Sequence, residues 1–254
     1  MRYASIRKNG RMMKLLPILF SLLISLFVIS AVADENFNEK RRAMINEINE
    51  TVRLTSSYIG KTALDERVMA VMAKVPRHEF VPRAFKSFAY ANRPLPIGKG
   101  QTISQPYIVA LMTDLAEVNQ DSVVLEVGTG SGYQAAVLAE LAQHVYTIEI
   151  VEALGKQAEK DLRRLGYNNV TVRIGDGYHG WAEHAPFDAI LVTAAPEEIP
   201  EPLIQQLKPG GKLVIPLGLQ SSAQSLTVVE KDLSGKIRRR DVLPVGFVPL
   251  TGDH

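Results

Sequence analysis

Short apolar runs alternate along the chain with segments of helical periodicity, and this alternation predicts an α/β fold. Val123, Val124, Leu125 and Val127 make a mostly β-branched run suited to a strand covered on both faces. Comparable runs lie at 145–150, 170–174, 187–193 and 213–217, with two more at 225–230 and 242–250 around a turn at Gly235. Helical composition fills 133–142 and 196–207. Strands alternating with helices and ending on strands indicate a mostly parallel sheet with helices on both faces and an antiparallel C-terminal edge.

Upstream of the sheet the pattern turns helical. Met44, Ile45, Ile48 and Val52 recur at helical spacing within 38–58, and Gly60 supplies a stop. Asp65 caps a second helix over 66–75, whose Val68, Met69, Val71 and Met72 are core filler. The stretch 84–105 holds Pro94, Pro96, Gly98 and Gly100 and shows no regular period, so it is expected to be an irregular loop of the kind that carries function. Its end, Gly98 to Pro106, concentrates hydroxyls and amides before a helix with Ile108, Val109, Met112 and Leu115 on one face. Ser104 is expected as its N-cap, with Pro106 in the first turn. An anionic group would be welcome at the same place.

Candidate chemistry starts at the turn after the first strand, where Gly128, Gly130 and Gly132 follow Glu126. Glycine at such a turn lets a ligand lie against the backbone. A dinucleotide fold reads G-x-G-x-x-G and offers its helix N-terminus to a pyrophosphate. Here the spacing is G-x-G-x-G behind a carboxylate, which would repel phosphate, so an NAD-dependent oxidoreductase is the less favoured reading. Glu149 follows 21 residues after Gly128, where an acid can accept from both hydroxyls of a ribose. The next strand ends in Gly175-Asp176-Gly177, where the acid could receive a purine amino group. Acids at three successive strand ends suit a cationic nucleoside, and S-adenosylmethionine fits.

Composition changes this picture only at the N-terminus. Residues 1–33 combine Arg2, Arg7, Lys8, Arg11 and Lys14 with an apolar run over 15–32 and the triplet Ala31-Val32-Ala33, the layout of a signal peptide. The run is also long enough for an uncleaved membrane anchor. The remaining 34–254 are expected to form one domain, with helices and a substrate loop over 34–105 and the cofactor-binding sheet over 106–254. The formal charge of +2 belongs to the leader: without it 24 basic residues face 27 acidic ones. The body therefore makes no electrostatic case for nucleic acid. Zero cysteines remove disulfides and thiolate metal sites. No H-E-x-x-H, G-x-S-x-G or P-loop motif is present. His78 reads as a surface or satisfied histidine, Trp181 as packing under a loop, and Arg238-Arg239-Arg240 as a solvated strand end.

These residues resemble a known family. The stretch 124–133, Val-Leu-Glu-Val-Gly-Thr-Gly-Ser-Gly-Tyr, is similar to the first motif of class I methyltransferases, with their Rossmann-like sheet. Gly-Gln-Thr-Ile-Ser-Gln-Pro-Tyr at 100–107, Arg-Ile-Gly-Asp-Gly at 173–177, Leu-Lys-Pro-Gly-Gly at 207–211 and Phe-Val-Pro-Leu-Thr at 247–251 resemble the protein-L-isoaspartate O-methyltransferases. The resemblance spans about 65–251. It implies that Ser104 is the active-site serine and that Thr102 and Ile103 line the same pocket. It implies further that Glu149 and Asp176-Gly177 contact ribose and adenine, that Gly128 and Gly130 pass beneath the methionine portion, and that Thr251 lies near both ligands. The implied reaction is S-adenosylmethionine-dependent esterification of the free carboxylate of isoaspartyl or D-aspartyl residues in proteins and peptides, by a monomer that touches membrane only through its leader. The family is usually cytoplasmic, whereas this leader points to export. That contrast leaves a third reading, an exported and catalytically weak binder of altered peptides.

Overall fold

The first strand of the sheet in chain order, β3 (Val123–Val127), is an interior one buried on both faces: Val124 and Leu125 point to opposite sides and neither reaches solvent. The computed structural model describes residues 37–253 apart from residue 220. Contacts divide the chain into two units, Met1–Arg41 and Arg42–His254. Of the first, residues 37–41 are described and are helical, and the leader 1–33 lies outside the described residues. All elements below belong to the second. Among the described residues no helix is long and apolar enough to cross a membrane.

Around β3 lie β4 (His144–Glu149), β5 (Val170–Ile174), β6 (Phe187–Val192), β7 (Leu207–Leu217), β8 (Gln224–Lys231) and β9 (Ile237–Val245), in the order β5-β4-β3-β6-β7-β8-β9. The first five are parallel, whereas β8 runs antiparallel to both neighbours. Ala189 to Val192 on β6 are fully buried in sequence, so here too both faces are covered. Helices α5 (Tyr133–Ala139) and α6 (Glu152–Arg164) return the chain from β3 to β4 and from β4 to β5. The chain then crosses to the other side of β3 to form β6. That reversal opens a crevice beyond the carboxyl ends of β3 and β6, where open α/β sheets bind ligands.

The N-terminal part contributes α1 (42–54), α2 (Ser56–Ile59) and α3 (Glu66–Lys74); the single helix expected over 38–58 is broken at Thr55, while the stop at Gly60 and the start after Asp65 are where the caps predict. Gly60 closes α2 at φ 70°, and Asp65 accepts from the Arg67 amide. The loop expected over 84–105 is instead ordered. Residues Arg83–Phe88 are 3-10 helical, and β1 (Leu95–Gly98) pairs antiparallel with β2 (Gln101–Ile103). Lys99 and Gly100 join them with positive φ of 55° and 75°, the backbone of a type I′ hairpin. Strands this short leave no period to read.

Two C-terminal boundaries also differ. The Lys208–Gly211 turn lies within the bounds of β7 as an irregularity in its pairing with β6. The last strand is β9, not 242–250. Its first half is the exposed Arg238-Arg239-Arg240 segment, and charges on an edge strand hide it from a hydrophobic reading while blunting aggregation. Residues 246–251 leave the sheet. A bridge between Ala195 and Pro249 and the side chain of Gln224 hold them, Gln224 accepting from the Phe247 amide at 2.6 Å and donating to its carbonyl at 3.1 Å.

Candidate active site

The helix α4 (Pro106–Ala116) and the hairpin before it face the crevice. Pro106 takes the first helical position, but the N-cap is Gln105, which makes no side-chain cap bond. The expected capping by Ser104 is therefore not found. Asn92 does the capping from outside the helix, its Oδ1 accepting from the Tyr107 amide at 3.0 Å while its Nδ2 donates to Thr51. Ser104 Oγ is left without a hydrogen bond to the protein among the described residues, half-buried at the mouth of α4.

Across the crevice the glycine turn is built around Glu149. One carboxylate oxygen accepts from the Gly130 amide at 2.7 Å and the other from the Val151 amide at 2.9 Å. Each such charge-assisted bond contributes about 1.5–3 kcal/mol, so turn and carboxylate hold each other in place. Lone pairs on both oxygens remain for further donors. Gly128 has a different constraint. Its φ is 98°, and a Cβ there would lie 2.3 Å from Thr193 Oγ1, which donates to the Gly128 carbonyl at 2.7 Å. Gly177 is required by packing, since a Cβ would come within 2.4 Å of Val127 Cγ1.

Together these elements enclose a cavity of about 520 Å³, within the ~300–1,000 Å³ of ligand pockets. Thr102, Ile103, Ser104, Gly128, Gly130, Glu149, Gly177 and Thr251 all line it, brought together from five parts of the chain. Thr51, Thr129, Tyr133, Thr193 and residues 243–250 line it too, and the sequence reading assigned none of them a site role. Thr129, Tyr133 and 247–250 fall within quoted motifs without a role of their own, whereas Thr51, Thr193 and 243–246 carry no motif and reach the wall only through packing.

Glu126 and Asp176 do not line the cavity. Asp176 accepts from the Tyr178 amide at 2.9 Å and so caps the short 3-10 turn that follows. Glu126 is wholly buried beneath the glycine turn, where Thr147 donates to one oxygen and the other has no partner among the described residues. Thr147 is linked in turn to Thr129 on the cavity wall. Burial pushes the Glu126 pKa up to about 8, the Thr147 bond opposing and the Glu149 charge reinforcing the shift. The carboxyl is thus neutral at pH 7, and the expected repulsion of phosphate by Glu126 does not arise.

This raised pKa predicts a pH dependence of stability. Between pH ~4.5 and ~8 the folded state keeps a proton that the unfolded chain releases. Stability should therefore be greatest at the acid end of that window and fall as pH rises, by up to about 1.4 kcal/mol per unit, levelling off above pH 8. Glu126→Gln, an uncharged isostere, should flatten the slope in urea unfolding at pH 5, 7 and 9. Equal slopes for both proteins would refute it.

His78 and Trp181 are as the sequence suggested. His78 Nδ1 lies 2.8 Å from the Tyr90 hydroxyl and off the cavity, and Trp181 is buried with its Nε1 donating to Glu183. The cavity wall contains no Lys, Arg or His among the described residues, and Glu149 is its single carboxylate. A pyrophosphate would meet no cation here, which counts against a dinucleotide, whereas a cationic nucleoside would meet one negative charge.

The family model for protein-L-isoaspartate(D-aspartate) O-methyltransferase matches residues 51–254. The chain belongs to that family. It is 62% identical over 235 residues to protein-L-isoaspartate O-methyltransferase 2 of Syntrophobacter fumaroxidans, covering 92% of this chain and 95% of the relative. It is 66% identical over 211 residues to the Polaromonas protein of the same description, covering 83% and 100%. One solved protein-L-isoaspartate O-methyltransferase superposes with TM-score 0.74 at 27% identity, over 84% of this chain and 66% of that one. A Plasmodium falciparum structure described as such a methyltransferase, in complex with S-adenosyl-L-homocysteine, gives 0.65 at 26%, over 81% and 97%. As a protein-L-isoaspartate O-methyltransferase, the chain is a carboxyl methyltransferase, and the weak-binder reading is set aside.

Proposed function

We propose that S-adenosylmethionine binds along the glycine turn, with Glu149 accepting from its ribose hydroxyls, and that Ser104 orients the isoaspartyl or D-aspartyl carboxylate. The observation that carries this is a single cavity lined both by Glu149, whose carboxylate two amides hold in place, and by Ser104, whose hydroxyl has no protein partner among the described residues. Room for the cofactor's backbone side exists at Gly130, where a Cβ would meet nothing closer than Ile97 at 3.6 Å. Bound S-adenosylmethionine supplies an electrophilic methyl group on a positively charged sulfur.

The chain's residues then have little proton chemistry to do. A carboxylate with a pKa near ~4 is already ionised at neutral pH, so no general base is needed. The wall provides none in the form of His or Lys. Ser104 Oγ donates to one oxygen of the acceptor, and the N-terminal end of α4 adds partial positive charge. Holding the acceptor in near-attack geometry can contribute up to about 7–11 kcal/mol. Thr102, Ile103 and Thr251 shape the walls around it. The methyl ester closes spontaneously to a succinimide, whose hydrolysis returns some normal aspartate.

Incubation with methyl-labelled S-adenosylmethionine and paired peptides tests the reading. The isoaspartyl peptide should take up base-labile label and its aspartyl twin should not; labelling of neither, or of both equally, would overturn it.

Residues 1–33 are proposed to act as an export signal, supported by their basic start, apolar run and Ala31-Val32-Ala33. The mature enzyme is proposed to act as a monomer, as the resemblance of its sequence implies. N-terminal sequencing of protein from fractionated cells and light scattering of the mature chain test these statements.

A further inference from the structure

A fully buried guanidinium lies directly behind Ser104. Arg77 follows α3 in the 3-10 turn Arg77–Glu79, and none of its surface reaches solvent. Its Nε donates to the Ala89 carbonyl and its Nη2 to the Ser104 carbonyl, both at 2.7 Å. The guanidinium carbon sits 4.8 Å from the centre of the Tyr133 ring, which lines the cavity. Nη1 has no acceptor among the described residues, and no carboxylate pairs with the group. Burial draws its pKa down to about 10, with Tyr133 and Tyr90 opposing, so the group is still charged at pH 7.

Burying a charge without a counter-ion is costly, and an apolar side chain of similar volume would fill the space more cheaply. What an apolar residue could not do is hold two carbonyls from distant segments with one rigid fork. Lysine, a point charge on a flexible stem, could not do so either. One of those carbonyls belongs to Ser104, which lines the cavity and whose hydroxyl has no protein partner among the described residues. Asn92 does the capping of α4. Arg77 therefore decides where the backbone of Ser104 sits, and Asn92 leaves its hydroxyl unspent.

We propose that Arg77 is a positioning residue that fixes the Ser104 backbone so that its hydroxyl points at the acceptor carboxylate. This inference rests on the role given to Ser104 above. The decisive experiment is a double-mutant cycle with Ser104→Ala and Arg77→Met, read as kcat/KM toward an isoaspartyl peptide. Each single change should lower kcat/KM at least tenfold, and the double variant should match Ser104→Ala alone within about threefold, because a displaced backbone matters only while a hydroxyl is there to aim. Multiplication of the two losses would mean that Arg77 is merely structural and would overturn the inference. An unchanged kcat/KM in Ser104→Ala would instead overturn the reading of Ser104, so the two failures are distinguishable.

Two further readouts accompany the cycle. Calorimetric affinity for S-adenosyl-L-homocysteine should stay within about threefold in the Arg77 variants, since Glu149 and Gly130 hold their positions without Arg77. Amide exchange over 103–108 should accelerate. A general loss of cofactor affinity, or unchanged exchange there, would count against positioning. Should Arg77→Met fail to fold, Arg77→Lys keeps the charge, loses the fork, and should show the same non-additivity.

Discussion

Replacing Ser104 by alanine should lower kcat/KM toward an isoaspartyl peptide by roughly 10- to 150-fold, the equivalent of one hydrogen bond to a charged acceptor at about 1.5–3 kcal/mol. Because Asn92 and not Ser104 caps α4, the substitution removes no helix cap. The thermal midpoint should therefore barely move. Affinity for S-adenosylmethionine should also stay within about twofold, since neither bond that fixes Glu149 involves Ser104. Steady-state kinetics with calorimetry checks both halves. An equal fall in cofactor affinity would show that Ser104 acts on the cofactor instead of the acceptor.

A larger effect on binding is expected at Glu149. If its carboxylate accepts from two ribose hydroxyls at about 1.5–3 kcal/mol each, Glu149→Ala should weaken S-adenosyl-L-homocysteine binding by roughly 10²- to 10⁴-fold. Glutamine is no gentle substitute. Both carboxylate oxygens already accept backbone amides, so a glutamine side chain in this place would turn its NH2 toward the Gly130 or Val151 N–H, donor against donor. Glu149→Gln should thus lose affinity and loosen the glycine turn as well. An affinity within threefold of the parent in both variants would remove Glu149 from the cofactor site.

The contrast between the two carboxylates beside the turn explains much of what was hard to read beforehand. Glu126 and Glu149 both stand near strand ends, and sequence spacing treats them alike. Glu149 meets two backbone amides and the cavity. Glu126 lies beneath the turn with one threonine for company, and burial leaves it protonated at neutral pH. Its charge, on which the electrostatic argument against phosphate partly leaned, is absent there. Phosphate is still disfavoured, because among the described residues the cavity wall has no cation and keeps Glu149. Asp176 differs from its neighbour in the same way: one of its carboxylate oxygens caps a turn, while Gly177 lines the wall.

Chain-local features were legible in the sequence itself. The β-branched runs, the glycine turn at 128–132, the caps at Gly60 and Asp65 and the family resemblance all depend on neighbours within a few residues, and each is encoded in side-chain type and spacing. Only the tertiary structure decided which acids face the cavity, that Asn92 caps α4 in place of Ser104, that residues 246–251 leave the sheet to form a wall, and that Arg77 grips the Ser104 carbonyl. Arg77 and Ser104 are 27 residues apart, Asn92 and Tyr107 are 15 apart, and Gln224 and Phe247 are 23 apart. Such contacts, and the burial that sets a carboxyl's charge, arise from how whole segments pack, and no local pattern of residues specifies them.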